Sequence, residues 1–294
     1  MSLKQKIKNY PRLYQFLFYF LHSFRYFDKR FWIYFPKYRM TEFWRKRTDV
    51  IKLCPDNQKI KIVDHAGKIY RHYQLMHNGL RIRLGSYYDY GNTMLLQETN
   101  GVHEPQEEFA FQEILKAIPE GGVMMELGSF WAFYSMWFAS VVKNARCVMI
   151  EPDPHKINFG KLNFKLNNLK GVFDLGFISD HDQLKTSIPT YSVDYLVKKH
   201  SIEFLDVLHS DIQGYELKML HGASTVLKNK KIGLLFISTH SNPLHSDCEQ
   251  FLKKIGYTII CSANLTETYS WDGLIVAQSP DYLRKFKIEI SKRE

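Results

Sequence analysis

The sequence of 294 residues lacks the features that mark secreted, zinc-binding and membrane-spanning proteins. Its four cysteines form no CxxC pair and lie in unrelated segments. Neither a disulfide framework nor a zinc site is indicated, and we expect a reducing, cytoplasmic environment. No run reaches the roughly 18 apolar residues that a membrane span needs. We expect no signal peptide, because no small-residue cleavage site follows the apolar N-terminal segment.

Glycine is also scarce where a nucleotide-binding turn would need it. Residues 123–152 have the pattern of a βαβ unit, in which an apolar run ends near Glu126 and Gly128 and a second one ends at Glu151. A dinucleotide fingerprint needs three glycines, but only Gly128 is present, and the bulky Phe130 and Trp131 follow it. Such a turn cannot bring its backbone close to a pyrophosphate. A ligand with a ribose and an adenine but no phosphate, such as S-adenosylmethionine, is favoured.

The acid that ends the second strand is the more specific half of this pattern. Glu151 lies roughly 20 residues after the turn, where a carboxylate accepts hydrogen bonds from both ribose hydroxyls. The alternative is a strand-end acid that is merely solvated. We therefore predict that Glu151 binds the ribose of the cofactor.

The remaining pattern alternates strands and helices and closes with two strands, which predicts a doubly wound, Rossmann-like α/β sheet. In such a sheet the strand ends converge on one crevice, which brings Asp211 and His240 toward the cofactor turn. Asp211 is a candidate general base for a substrate hydroxyl, or one ligand of a divalent cation. Its alternative role is the N-cap of the next helix. His240 is a candidate second polar group beside Asp211, and its alternative role is structural.

The positive charge of the chain is concentrated at its N-terminus. Residues 1–50 carry twelve Lys or Arg against three Asp or Glu, which is +9 of the net +10. Leu and Phe fall on one helical face over residues 13–24. An aromatic helix between cations suits an anionic membrane, here at the inner membrane face. The alternative is a helix that packs on the catalytic domain or on the partner in a homodimer. Nucleic acid is not expected, because the basic residues interleave with too much Leu and Phe.

Three segments follow from these patterns. Residues 1–55 form the basic, aromatic helical segment. Residues 56–100 form a small β subdomain, because residues 59–63, 70–75 and 80–84 are short alternating runs separated by glycine turns, typical of a hairpin or meander. Residues 101–294 form the Rossmann-like domain.

Over residues 100–260 the sequence resembles the FkbM family of S-adenosylmethionine-dependent methyltransferases, which implies a class I methyltransferase fold. The similar blocks, in order, are His103-Glu104-Pro105, residues 125–135, residues 150–154, residues 193–196 and residues 211–223. The resemblance implies that Glu126, Gly128 and Ser129 line the methionine end of the cofactor, that Glu151 holds the ribose, and that Gly176, Phe177 and Ile178 border the adenine. Ala132 takes the position of the family's second glycine and is included among the cofactor-binding residues. His209 stands where the family tends to have Lys.

These observations predict an S-adenosylmethionine-dependent O-methyltransferase that acts on a hydroxyl of a sugar, a glycan or a secondary metabolite. Asp211, assisted by His240 or a bound cation, is expected to orient and deprotonate that hydroxyl. Two alternatives stay open. One is a nucleotide-dependent oxidoreductase, against which the missing glycines argue. The other is a membrane-associated binding or scaffold protein on a degenerate methyltransferase fold, which the bulky Phe130 and Trp131 favour.

Overall fold

The computed structural model describes residues 40–88, 90–282 and 284–294. The helix predicted within residues 13–24, and with it most of the predicted membrane-binding segment, lies outside the described residues. In the described part, no helix is both long and apolar enough to cross a membrane.

The described helices and strands alternate along the chain as the sequence predicts. The helices are α1 (Glu42–Leu53), α2 (Tyr90–Glu98), α3 (Pro105–Leu115), α4 (Phe133–Val141), α5 (Pro154–Leu166), α6 (Val193–Lys199), α7 (Glu216–Gly222), α8 (Ser224–Lys228) and α9 (Asn242–Lys254). The strands are β1 (Tyr73–Leu75), β2 (Arg81–Arg83), β3 (Val123–Leu127), β4 (Arg146–Glu151), β5 (Val172–Leu175), β6 (Phe177–Ile178), β7 (Thr190–Tyr191), β8 (Leu205–Ser210), β9 (Ile232–Thr239), β10 (Thr258–Ala263) and β11 (Gly273–Gln278).

Seven strands form the central sheet, in the order β10-β11-β9-β8-β3-β4-β5. Strand β11 runs antiparallel to both of its neighbours, and the other pairs are parallel. This confirms the predicted doubly wound sheet and gives it the class I methyltransferase strand order. The direction of winding reverses between β3 and β8, so the ligand crevice opens at their carboxyl ends.

Successive residues of each central strand point to opposite faces of the sheet, and each face has its own apolar core. Met124 belongs to the core that contains α3, α4 and the β1–β2 hairpin, whereas Met125 belongs to the core under α6 to α9. Because both faces are covered, β8 and β9 are buried along their whole length. This burial is why β9 reads as a nearly continuous apolar run in the sequence, whereas β8 also carries the buried polar residues Asp206, His209 and Ser210.

Strands β1 and β2 pair as an antiparallel hairpin, as the sequence predicts. The hairpin docks on α5 through two asparagines. Asn163 Oδ1 accepts from the Arg83 amide at 2.8 Å, and Asn167 Oδ1 accepts from the Arg81 amide at 2.9 Å. The side chains of Asn163 and Asn167 therefore bond to the outer edge of β2, which fixes the hairpin against α5 and its C-cap.

The strand predicted over residues 59–63 is wrong. Here the backbone bonds to a side chain of α3 instead of a strand: Gln112 Oε1 accepts from the Lys61 amide at 2.7 Å, and Gln112 Nε2 donates to the Lys59 carbonyl at 3.1 Å. The sequence patterns also missed α2.

Residues 216–228 form two short helices and not one, because α7 and α8 meet at Ala223. The carboxylate of Asp194 explains the second helix start, since it accepts from the Thr225 and Val226 amides at 2.9 Å each. Amides in the first turn of a helix have no partner within the helix, and Asp194 satisfies two of these amides at the start of α8.

Candidate active site

Two adjoining cavities open at the carboxyl ends of β3, β4 and β8. The Glu151 cavity, of about 760 Å³, is bordered by Glu151, Lys156, Phe177 and Ile178. The Arg47 cavity, of about 440 Å³, is bordered by Arg47, Glu104, Glu126, Ser129 and Trp271 among others. Gly128, Phe130 and Asp211 border both cavities. The crevice thus has two compartments that meet between the end of β3 and the end of β8.

The turn after β3 uses its own amides internally. Gly128 and Ser129 both donate to the Ile150 carbonyl, at 2.9 and 3.0 Å, and the Phe130 amide donates to Glu151 Oε2 at 3.0 Å. Three successive N–H groups that would cradle a phosphate in a dinucleotide site already have partners in this chain. This arrangement fits a ligand without a phosphate.

Glu151 is directed into its cavity and keeps capacity to accept further hydrogen bonds. Its two oxygens each accept one backbone amide, from Phe130 at 3.0 Å and from Asp153 at 2.9 Å. Burial raises the pKa of the Glu151 carboxyl, although these amides and Lys156 oppose the shift. Each carboxylate oxygen has a second lone pair, so the pair of oxygens can also accept from two vicinal hydroxyls.

Phe130 and Trp131 form walls of the crevice and leave both cavities open. Trp131 is buried and stacks on Tyr87, with ring centroids 4.1 Å apart and planes at 12°. Phe130 packs edge-on against Tyr88, and Lys156 Nζ lies 4.6 Å from its ring centre. The bulk of the turn therefore borders the space where the cofactor was predicted, without filling it.

The structure brings Asp211 and His240 together, as predicted. His240 Nε2 lies 3.2 Å from Asp211 Oδ1 and 3.3 Å from Asp272 Oδ1, and His240 Nδ1 lies 3.0 Å from Glu216 Oε1. Burial alone would lower the pKa of His240, but the hydrogen bonds and charges of these three carboxylates outweigh it and raise the pKa to about 10. His240 is therefore an imidazolium at neutral pH.

The same cluster sets the charge of Asp211. Burial would raise its pKa, but the hydrogen bond and charge of His240 outweigh that effect and hold the pKa below its usual value. Asp211 is thus an ionised carboxylate that accepts hydrogen bonds well and protons poorly. The imidazolium of His240 supplies a positive charge beside Asp211, at the position where a divalent cation was the alternative expectation. Among the described residues, no group of three or more His, Cys, Asp or Glu has an arrangement that could hold a metal ion.

The other predicted cofactor residues divide between the two cavities. Glu126 and Ser129 border the Arg47 cavity, and Phe177 and Ile178 border the Glu151 cavity. Glu126 Oε2 also accepts from the Ser135 amide at 3.0 Å, at the start of α4, and burial raises the Glu126 pKa. Ala132 borders neither cavity. It precedes α4 in the left-handed region, with φ of 60°, and is fully buried.

Further polar groups, which the sequence patterns did not indicate, reach the Arg47 cavity from α3 and its preceding turn. Glu104 Oε2 accepts from the Tyr134 hydroxyl at 3.1 Å and lies 3.5 Å from His103 Nε2. Burial is the main cause that raises the Glu104 pKa to about 8. Glu107 is buried behind the cavity-lining His209, and its Oε1 lies 2.7 Å from His209 Nε2. The helical spacing of acids at 104, 107 and 108, directly after His103, was the available signal.

Comparison with known proteins agrees with this geometry. Residues 179–259, which include Asp211 and His240, match the family model of the methyltransferase FkbM domain. The predicted resemblance is thereby confirmed, and so is the predicted enzyme class, an S-adenosylmethionine-dependent methyltransferase. No curated protein matches the chain.

Several solved structures are similar in their backbone. An O-methyltransferase from Bacillus cereus in complex with SAH has 16% identity and a TM-score of 0.43, over 60% of this chain and 81% of that one. A precorrin-6y C5,15-methyltransferase from Geobacter metallireducens has 12% identity and a TM-score of 0.41, over 58% of this chain and 85% of that one. TrmK from M. capricolum, in complex with S-adenosyl-homocysteine, has 15% identity and a TM-score of 0.40, over 59% of this chain and 69% of that one.

Proposed function

We propose that this FkbM-type methyltransferase transfers the methyl group to a hydroxyl of a sugar or a similarly polyhydroxylated acceptor. The observation that carries the proposal is the pair of cavities that meet at Gly128 and Asp211. The adenosyl part of the cofactor occupies the Glu151 cavity, and the acceptor occupies the Arg47 cavity. The reacting atoms then meet where the two cavities join.

The Glu151 cavity suits an adenosine without phosphate. Glu151 accepts from the ribose hydroxyls, and Phe177, which is 50% exposed, offers an apolar surface for the adenine. The bound cofactor supplies an activated methyl group on a sulfonium. The protein's own contribution is to align the acceptor hydroxyl with that methyl group and to receive the proton.

The walls of the Arg47 cavity suit a sugar. Aromatic side chains, Trp44, Tyr88 and Trp271 among them, supply flat faces whose partial negative charge attracts C–H groups. Carboxylates of Asp211 and Asp272 supply acceptors for hydroxyl groups. This mixture of apolar faces and hydrogen-bond acceptors matches a ring that carries several hydroxyls.

Asp211 and Glu104 have different roles in this proposal. Asp211 orients the hydroxyl as a hydrogen-bond acceptor, since its lowered pKa makes it a weak base. Glu104 receives the proton in its ionised form, which becomes populated as the pH rises through about 8, and its raised pKa makes it a stronger base than Asp211. His240 is a positioning residue that fixes Asp211.

The membrane role of the N-terminal segment also stays a proposal. Within the described residues the exposed basic side chains of α1 already have acidic partners. Arg45 and Lys52 pair with Glu98, at 3.0 and 2.6 Å, and Lys46 pairs with Glu42 at 2.8 Å. Attraction to an anionic surface at the inner membrane face therefore depends on residues 1–39. Sedimentation with phosphatidylserine vesicles, for the full chain and for a chain that begins at residue 40, tests this.

The acceptor class is tested by S-adenosylhomocysteine formation from S-adenosylmethionine. Methyl α-D-glucopyranoside and methyl α-D-mannopyranoside are the sugar probes, and catechol is the flat aromatic probe. We expect turnover with a sugar probe, with a rate that rises through about pH 8, and loss of that rise in Glu104→Gln. Turnover with catechol alone would overturn the sugar assignment and leave the O-methyltransferase assignment standing.

A further inference from the structure

Arg47 is a buried guanidinium without a close partner. The residue is 8% exposed, and its Nη1 has no hydrogen-bond partner among the described residues. The one carboxylate within ion-pair distance in that part of the chain is Glu104, with Oε1 3.9 Å from Arg47 Nη2. That separation is too long for a hydrogen bond. The charge is thus removed from water without the bidentate partner that buried guanidinium groups usually have.

The neighbouring acids do not supply that partner. Burial raises the Glu104 pKa to about 8, so Glu104 is largely protonated at neutral pH. Asp211 and Asp272 both lie within 3.3 Å of His240, which carries a proton and offsets their charge. Within the described part of the chain, no ionised acid is left to pair with Arg47, which points to a bound molecule as the source of a negative group.

The surroundings of Arg47 fit such a group. Among the described residues that border its cavity, Arg47 is the one Lys or Arg. Its guanidinium lies 5.5 Å from the ring centre of Trp271, within cation–π distance. Gly128 and Ser129, from the predicted methionine end of the cofactor site, border the same cavity.

We propose that Arg47 is the carboxylate-binding residue of this cavity and pairs with a carboxylate of a bound molecule. The carboxylate has two possible sources: the amino-acid part of the cofactor, or an acceptor such as a uronic acid. In either case the guanidinium fork receives two parallel hydrogen bonds that residues 40–88, 90–282 and 284–294 do not provide. The inference rests on the proposed function, because it adds a charged subsite to the cavity assigned to the acceptor and the methionine end.

The experiment compares ligands that carry a carboxylate with related ligands that lack it. The parent chain, Arg47→Met and Arg47→Lys are titrated by calorimetry at pH 7 with S-adenosylhomocysteine and with 5′-methylthioadenosine, which lacks the amino-acid part. The S-adenosylhomocysteine complexes are then titrated with D-glucuronate and with D-glucose. Arg45→Met is the matched control, because Arg45 lies on the same helix, is half exposed and pairs with Glu98 outside the cavity.

Two results support the proposal and identify the source. If Arg47→Met weakens S-adenosylhomocysteine about tenfold to a hundredfold and leaves 5′-methylthioadenosine unchanged, the carboxylate is the cofactor's. If instead it abolishes a preference for D-glucuronate over D-glucose, the carboxylate is the acceptor's. Arg47→Lys should recover only part of the affinity, since an ammonium lacks the planar fork.

Two other results overturn the proposal. One is an Arg47→Met variant in which all four affinities match the parent. The other is an equal loss of S-adenosylhomocysteine and 5′-methylthioadenosine binding, which would show general damage to the site. Failure of the proposed function gives a different result, in which the parent chain itself binds neither adenosyl ligand. The comparison of D-glucuronate with D-glucose, made on the chain without cofactor, would then test the role of Arg47 by itself.

Discussion

The backbone of Gly128 lies against the carbonyl of Asp211 so closely that a Cβ at Gly128 would stand 1.8 Å from that oxygen. Gly128 also has a φ of 73°, in the left-handed region. The Asp211 amide donates to the Leu127 carbonyl at 3.0 Å, so the turn after β3 and the end of β8 are joined by direct backbone contact. The two cavities meet at this contact.

We therefore expect Gly128→Ala to destabilise the fold by about 2–4 kcal/mol and to abolish S-adenosylhomocysteine binding. The matched control is Gly121→Ala, because Gly121 has a similar φ of 78° but open space around its Cα. That control should lose only about 1 kcal/mol, from backbone strain. Urea unfolding measures both variants. Equal losses in the two would contradict the importance of the close approach.

Glu151 is expected to determine ribose binding. Glu151→Ala removes a charge-assisted acceptor worth about 1.5–3 kcal/mol, so S-adenosylhomocysteine affinity should fall by one to two orders of magnitude. Glu151→Gln keeps an acceptor oxygen and should fall less. Calorimetry checks both, with Glu120→Ala, an exposed glutamate at the other end of β3, as the control. An unchanged affinity in Glu151→Ala would remove this residue from the site.

Asp211→Asn should reduce turnover more than cofactor affinity. The variant keeps the shape of the side chain but loses the charge that orients the acceptor. The pKa of His240 should fall as well, because one of its three carboxylate partners is lost. Steady-state kinetics and an NMR titration of His240 measure the two effects. Equal losses in turnover and affinity, with the His240 pKa unchanged, would instead mark a structural role.

The His240 cluster predicts a pH dependence of stability. The pKa of His240 is raised from 6.5 to about 10, so the folded state binds this proton more tightly than the unfolded state does. The stabilisation is complete below pH 6.5 and is lost as the pH rises through about 10. Glu104, with a pKa raised to about 8, makes stability fall with pH in a lower window, from about 4.5 to 8.

Urea unfolding of His240→Asn between pH 6 and 10 separates the two contributions. The decline above pH 8 should be much weaker in this variant than in the parent chain. His181→Asn serves as the control, since His181 is exposed and pairs with Asp180 at the surface. If His240→Asn shows the same decline as the parent, His240 is not held as an imidazolium in the folded protein.

The fold was predictable because its central strands are buried on both faces. Residues such as Ile232 to Ile237 have no polar alternation, and this pattern distinguishes a covered parallel strand from a surface one. A different pattern, short polar–apolar alternation, gave the false strand at residues 59–63, where the backbone of Lys59 and Lys61 bonds to Gln112 of α3 instead. Helix α2 was missed because its first turn contains a residue of low helix propensity, Gly91. A glycine is needed there for a tertiary reason: a Cβ at Gly91 would be 2.0 Å from the indole of Trp44.

The site was predictable only where residues end a strand. Glu126, Glu151 and Asp211 line the two cavities, since topology alone brings strand ends together. Arg47 and Glu104 enter from α1 and from the start of α3, whose positions depend on tertiary packing. The charge of His240 depends on carboxylates from three separate segments, so no local pattern could reveal it.

Calorimetric titration of the purified chain with S-adenosylhomocysteine, and in parallel with NADH, tests the central claim most directly. A phosphate-free adenosine site predicts one S-adenosylhomocysteine bound per chain and no heat with NADH, with the first signal lost in Glu151→Ala. Tight NADH binding, or no heat with either ligand, would contradict the assignment of the two cavities to a methyl donor and its acceptor.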